Sequence, residues 1–176
     1  MTQETPLSAE SVVLVDANIF FAIGHPSNPR YSRFRQAVQN AGVVLKLPRR
    51  VVGELGGAET DRIRTALDED WAEIIDAPAP SDSDAVAASD IARRTIASET
   101  GRAEHEVEKT DTILAGLAIQ YVRDRSASSV LVLTDDKPAR KGIENAVTAQ
   151  GYTNAITVHG VADIIGDDSG DSMRLI

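Results

Sequence analysis

Five short stretches of the chain are rich in apolar residues: "VVLV" at 12–15, "VVLKL" at 43–47, "AEIID" at 72–76, "VLVL" at 130–133 and "AITV" at 155–158. Runs this short, flanked by turn-forming residues, predict strands rather than helices. Those at 12–15 and 130–133 are apolar at every position, and a strand without a polar face needs cover on both sides. Elsewhere apolar positions recur at helical spacing, over about 29–40, 48–57, 59–69, 83–99, 110–125 and 138–150. Pro48 and Pro138 stand early in their segments, and Thr110 is placed to cap a helix that begins at Asp111. Strands alternating with helices predict an α/β fold, a three-layer α/β/α sandwich on a mainly parallel central sheet.

The chain has 176 residues, 42 % of them hydrophobic, enough for one domain with its own core. We place that domain at 11–165, between a polar, flexible N-terminus (1–10) and a flexible acidic tail (166–176). The stretch "DAPAPSDSD" at 76–84 reads as a linker, because its prolines and small polar residues oppose regular structure. Cysteine is absent, which excludes disulfides and thiolate metal sites. The first residues lack the basic start and apolar stretch of a secretion signal, and no run approaches the ~18 apolar residues of a membrane span. A soluble, cytoplasmic protein with no membrane partner is the expectation.

Charge sharpens the picture. The net charge is −9, yet residues 30–64 hold eight cations against three carboxylates. A basic segment inside an acidic chain is compatible with local binding of phosphates, and equally with solvated helix faces. Arg30, Arg33, Arg49 and Arg50 are the candidates for a nucleic-acid backbone. The acid surplus, with four lysines against fourteen arginines, suggests a halophilic, salt-adapted surface kept hydrated by carboxylates.

In parallel α/β sheets ligands gather outside the carboxyl ends of the strands. Asp16 ends the first fully apolar strand, while Asp135 and Asp136 follow the second. Each could cap the helix that follows it. Buried parallel strands tend to be central neighbours, however, so these carboxylates would repel unless a cation stood between them. Glu54, in "PRRVVGELGG", borders the buried stripe marked by Val51, Val52 and Leu55; Asp111 opens "TDTILAGLAIQYVRD" beside its core face. As a first-turn acid Asp111 also suits the helix dipole, by about 0.3–1 kcal/mol. His25, His105 and His159 have no evident triad partner, and "GELGGAE" lacks the lysine of a phosphate-binding loop.

Taken in order, Asp16 in "LVDANIF", Glu54 in "RRVVGELG", Asp111 in "KTDTILAGLA" and the Thr134–Asp136 run in "VLTDDKPAR" resemble the motifs of the PIN-domain family. The likeness covers about residues 12–165. It implies a metal-dependent endoribonuclease: an RNA-binding nuclease, that is, a hydrolase of phosphodiester bonds with a magnesium- or manganese-binding site. Asp16, Glu54, Asp111 and Asp136 take the catalytic acidic positions. The metal would be held by Asp16, Glu54, Asp111 and either Asp135 or Asp136, with Asn18 and Thr134 lining the site. Some members are VapC-type toxins of toxin–antitoxin pairs, so an antitoxin protein and a homodimer are the partners implied beside RNA. The block "TDDKPARKGIENAVTAQGY" is also similar to a subgroup of PIN-like proteins for which an inert RNA- or protein-binding role is the alternative. A further alternative is an aspartate-dependent phosphatase: Asp16, Thr134, Lys137 and Asp135/Asp136 are similar to haloacid-dehalogenase-type enzymes, which carry a second aspartate where this chain has Asn18.

Overall fold

Every residue of β1 (Val12–Val15) alternates between two hydrophobic layers, as the period of two along a strand requires. Val13 and Val15 enter one core, and Leu14 enters the other. β4 (Val130–Leu133) does the same, with Leu131 and Leu133 on the first side and Val130 and Val132 on the second. The computed structural model describes residues 5–79, 81–124 and 126–166. With β2 (Leu45–Pro48), β3 (Ala72–Ile75) and β5 (Ile156–His159), these strands form one sheet in the order β3-β2-β1-β4-β5, every pairing parallel.

Helices cover both faces. α1 (Ala17–Ile23), α2 (Pro29–Ala41), α3 (Arg49–Glu54), α4 (Asp61–Asp68) and α8 (Ala162–Ile165) contribute to the first core. α5 (Ser83–Thr100), α6 (Lys109–Arg123) and α7 (Lys137–Gln150) pack into the second. A 3₁₀ turn at Glu104–Glu106 joins α5 to α6. The first core is anchored by aromatic contacts. Phe20 stacks on Trp71 at 6.4 Å between centroids, while Tyr31 and Phe34 meet Trp71 edge-on at 5.7 and 6.3 Å. Such pairs add about 0.5–1.5 kcal/mol beyond area burial, and they fix α1, which follows Asp16 directly.

The strands and the longer helices fall where periodicity placed them, with end shifts that have local causes. α3 stops at Glu54 rather than continuing to 57, because Gly56 and Gly57 turn the chain at φ 95° and 104°. Pro48 ends β2 instead of opening a helix. There β1 no longer pairs with β2, its last partner being Lys46, so the missing N–H costs no ladder bond on that side. α6 begins at Lys109, which puts Thr110 inside the helix and frees its hydroxyl for a distant partner. Helices α1 and α8 were not anticipated by the apolar pattern. Of the N-terminal segment, Leu7 packs into the first core. The acidic tail lies outside the described residues beyond Gly166. Among the described residues no helix is long and apolar enough to cross a membrane.

Candidate functional site

The strand order sets the location. The chain runs from β1 outward through β2 to β3, then returns to place β4 on the other side of β1. The crevice between β1 and β4 at their carboxyl ends is therefore the switch point, where doubly wound sheets bind ligands. Val15 pairs with Leu133, so Asp16 and Thr134 emerge side by side.

Asp16 is buried, at 3 % exposure, and caps α1 with its Oδ1 accepting from the Ala17 N–H at 2.7 Å. Its Oδ2 accepts from the Thr134 hydroxyl at 2.9 Å and from the Asn18 amide at 3.0 Å. Asn18 ties the two strand ends together: its amide also donates to Thr134 Oγ1 at 3.1 Å, and its Oδ1 accepts from the Asp135 N–H at 2.8 Å. Capping and a place at the crevice thus belong to the same carboxylate. Asp136 also has both, since its Oδ1 accepts from Ala139 N–H at 3.1 Å to cap α7 while its N–H donates to Thr134 Oγ1 at 3.2 Å.

Two further acids reach this rim from neighbouring elements. Glu54 ends α3 and accepts from the buried Thr110 hydroxyl at 2.5 Å, a bond that ties α3 to the start of α6. Asp111 stands one residue further along α6, half-buried. Burial pushes the Asp111 carboxyl up to about 7, and the charges of Asp16, Asp136, Glu54 and Glu108 push in the same direction. Asp16 is also raised, chiefly by burial and then by Glu54 and Asp136, against the lowering effect of the Thr134 and Ala17 hydrogen bonds. Glu54 and Asp136 are therefore close enough for their charges to act on both Asp16 and Asp111.

The other sequence candidates divide. Asp135 points its Oδ1 to the Val161 N–H at 2.8 Å, bracing the turn after β5. Of the two adjacent aspartates, Asp136 is the one whose charge acts on both Asp16 and Asp111. Arg49 pairs with Asp76 at 2.7 Å. Arg30 donates from Nε to the Ala22 carbonyl, and Arg33 lies on the same helix, α2. Arg50 is exposed and lines a groove with Lys109 and Thr112, the latter next to Asp111. His25 and His159 each meet one aspartate, Asp61 and Asp163, both at 3.1 Å. Sequence reasoning missed Thr110 as the partner of Glu54, since a threonine at a helix start reads as a cap.

Four carboxylates of one sign, two of them lifted by burial and mutual repulsion, form a donor set suited to a hard divalent cation, which takes oxygen ligands. Asp16 Oδ1 accepts a single hydrogen bond and keeps a lone pair available. The donor chemistry fits. The spacing is open: among the described residues no group of three or more carboxylates or imidazoles is arranged to hold a metal ion as it stands. Ion binding therefore requires side chains at this rim to draw together.

A family model described as the halobacterial PIN domain matches residues 9–173. Among curated proteins and among solved structures nothing matches the chain. With a parallel sheet, acids at its switch point and a match over nearly the whole sequence, the chain belongs to the halobacterial PIN-domain family.

Proposed function

We infer that this PIN domain is an endoribonuclease that hydrolyses RNA phosphodiester bonds with Mg²⁺ or Mn²⁺ held by Asp16, Asp111 and Asp136. The observation that carries the reading is the gathering of Asp16, Glu54, Asp111 and Asp136 at one rim, where the Asp111 carboxyl, pushed up to about 7 first by burial, is pushed the same way by the charges of Asp16, Asp136 and Glu54. A fold gains nothing from concentrating like charge in this way, and a divalent ion would relieve it. Bound there, the cation would supply charge neutralisation at the scissile phosphate and acidify a water. The chain's own groups have separate tasks. Asp16 is oriented by Thr134 and Asn18, Asp136 is fixed by capping α7, and Glu54 is aimed by Thr110. Glu54, exposed and without a second hydrogen bond among the described residues, would orient the water.

The test is cleavage of a labelled single-stranded RNA by the purified protein with and without Mn²⁺. The wild type cuts only with the ion, and Asp16→Asn abolishes cutting while the far-UV spectrum is unchanged. Equal cutting by Asp16→Asn defeats the proposal. A second reading, an RNA-binding domain that does not cut, is favoured by the open spacing of the carboxylates. Calorimetry separates the two, because a non-cutting domain of that kind takes up no Mn²⁺ at the rim.

A further inference from the structure

The linker-like stretch after β3 is held in place. Asp76 pairs with Arg49 at 2.7 Å, and the Ala79 N–H donates to Gln120 Oε1 at 2.8 Å. Pro78 lies so near α6 that its Cγ would be 3.1 Å from a Cβ at Gly116. Ala77, Pro78 and Ala79 form one wall of a groove of about 300 Å³, and α5 and the start of α6 form another. Thr112, beside Asp111, stands in it, and Arg50, four residues before Glu54 on α3, lines it too. The groove is thus lined by the chain neighbour of Asp111 and by a residue one helical turn from Glu54.

Cations mark its course. Arg50, Lys109 and Arg93 line the groove. A hollow of about 440 Å³ continues from Lys109 and Arg93 past His105, and another of about 430 Å³ links Arg93 to Arg94. Asp90 and Glu104 are the carboxylates along this path, and Asp90 is engaged by Arg93 at 2.8 Å. Arg50 and Lys109 are exposed and make no ion pair among the described residues. On a chain of net charge −9, four cations along one channel stand against the general field and offer a polyanion a place to approach.

We propose that this channel, from Arg50 and Lys109 past Arg93 to Arg94, binds the phosphate backbone of a single nucleic-acid strand and leads it to Asp111. The expected occupant is a single strand, whose flexible backbone can follow a groove of about 300 Å³ walled by the linker. Its lining has no Phe, Tyr or Trp and only the His105 ring for base stacking, so contacts go mainly to phosphates and binding is tolerant of sequence. The proposal deepens the nuclease reading and rests on it for the strand's destination, whereas the binding itself needs no cleavage.

Fluorescence anisotropy tests it with labelled oligouridine of about 12 nucleotides, within the span one domain covers, in EDTA and at KCl concentrations that keep the fold. The double variant Arg50→Ala/Lys109→Ala is compared with wild type and with Arg140→Ala/Lys141→Ala, which lies on α7. Removing two phosphate contacts reduces the salt slope by about 1.4, so a fourfold rise in KCl costs the groove variant about sevenfold less affinity than wild type. The α7 variant follows wild type. No binding by wild type, equal slopes for wild type and groove variant, the same loss in the α7 variant, or preference for duplex RNA each overturns the proposal. Groove-dependent binding by a protein that never cuts RNA would defeat the nuclease reading alone. Mn²⁺-dependent cutting with a groove variant of unchanged KM and salt slope would defeat the channel alone.

Discussion

The Thr134 hydroxyl donates to Asp16 Oδ2 at 2.9 Å across 118 positions of sequence. It also accepts from Asn18 and from the Asp136 N–H, so one buried oxygen joins the ends of β1 and β4. Thr134→Val keeps the shape and removes the hydroxyl, leaving buried polar groups short of a partner. Chemical denaturation should show a loss of about 1–3 kcal/mol, with Thr134→Ser retaining most of the stability.

Thr110 holds Glu54 as Thr134 holds Asp16. Thr110→Val should leave the fold intact and lower the rate of Mn²⁺-dependent cleavage about 10- to 100-fold, the usual effect of losing a group that orients a ligand. Thr110→Ser restores the donor and should recover most of the rate. A merely structural role would move the melting temperature and not this rescue.

Asp111 gives the metal-free protein a pH dependence of defined sign. Its carboxyl titrates near 3.8 when unfolded and near 7 when folded. An acid raised on folding favours the native state most below the unfolded value. That contribution is lost as pH rises through 7. In EDTA, Asp111→Asn should therefore be more stable than wild type at pH 8, on the order of 1–2 kcal/mol after allowance for solvent screening, and nearly equal at pH 4. Thermal melts at the two pH values, with divalent ions removed, measure the difference.

At Gly116 two effects compete. Glycine inside a helix costs about 1 kcal/mol relative to alanine. A Cβ here would lie 2.6 Å from Ser89 Oγ, 3.0 Å from the Ala85 carbonyl oxygen and 3.1 Å from Pro78 Cγ. Overpacking of that kind costs about 1–3 kcal/mol. The carbonyl belongs to α5 and cannot swing aside, so the clash wins and Gly116→Ala should be net destabilising by denaturant titration.

Legibility followed burial. β1 and β4 declared themselves because each is apolar at every position, and that property put them side by side at the centre with Asp16 and Thr134 adjacent. α1 stayed hidden for a related reason: "ANIFFAI" is apolar on nearly all sides and offers no polar face to set a helical period, although Phe21 is 54 % exposed. Glu54 was found by its neighbours Val51, Val52 and Leu55, but its place on the last turn of α3 depends on the conformations of Gly56 and Gly57. The basic block at 30–64 drew notice to Arg30 and Arg33 on α2 and to Arg49 and Arg50 on α3, and of these Arg50 lines the cation channel, which is assembled from α3, α5 and α6. Arg93 and Lys109 lie far along the chain in acidic company, and only the fold brings them to Arg50. The linker looked unstructured because its prolines and small polar residues oppose regular structure; its role as a wall comes from Gln120 and Gly116, which no local pattern connects to it.

The central claim is that the four carboxylates at the β1–β4 rim close on one cation. Anomalous diffraction from crystals soaked in Mn²⁺ measures this directly. The account predicts a peak coordinated by oxygens of Asp16, Asp111 and Asp136 at about 2.0–2.3 Å, near the range of hard cations, with Glu54 in reach of a bound water. A crystal saturated with Mn²⁺ that shows no peak at this rim, its carboxylates still apart, would contradict it.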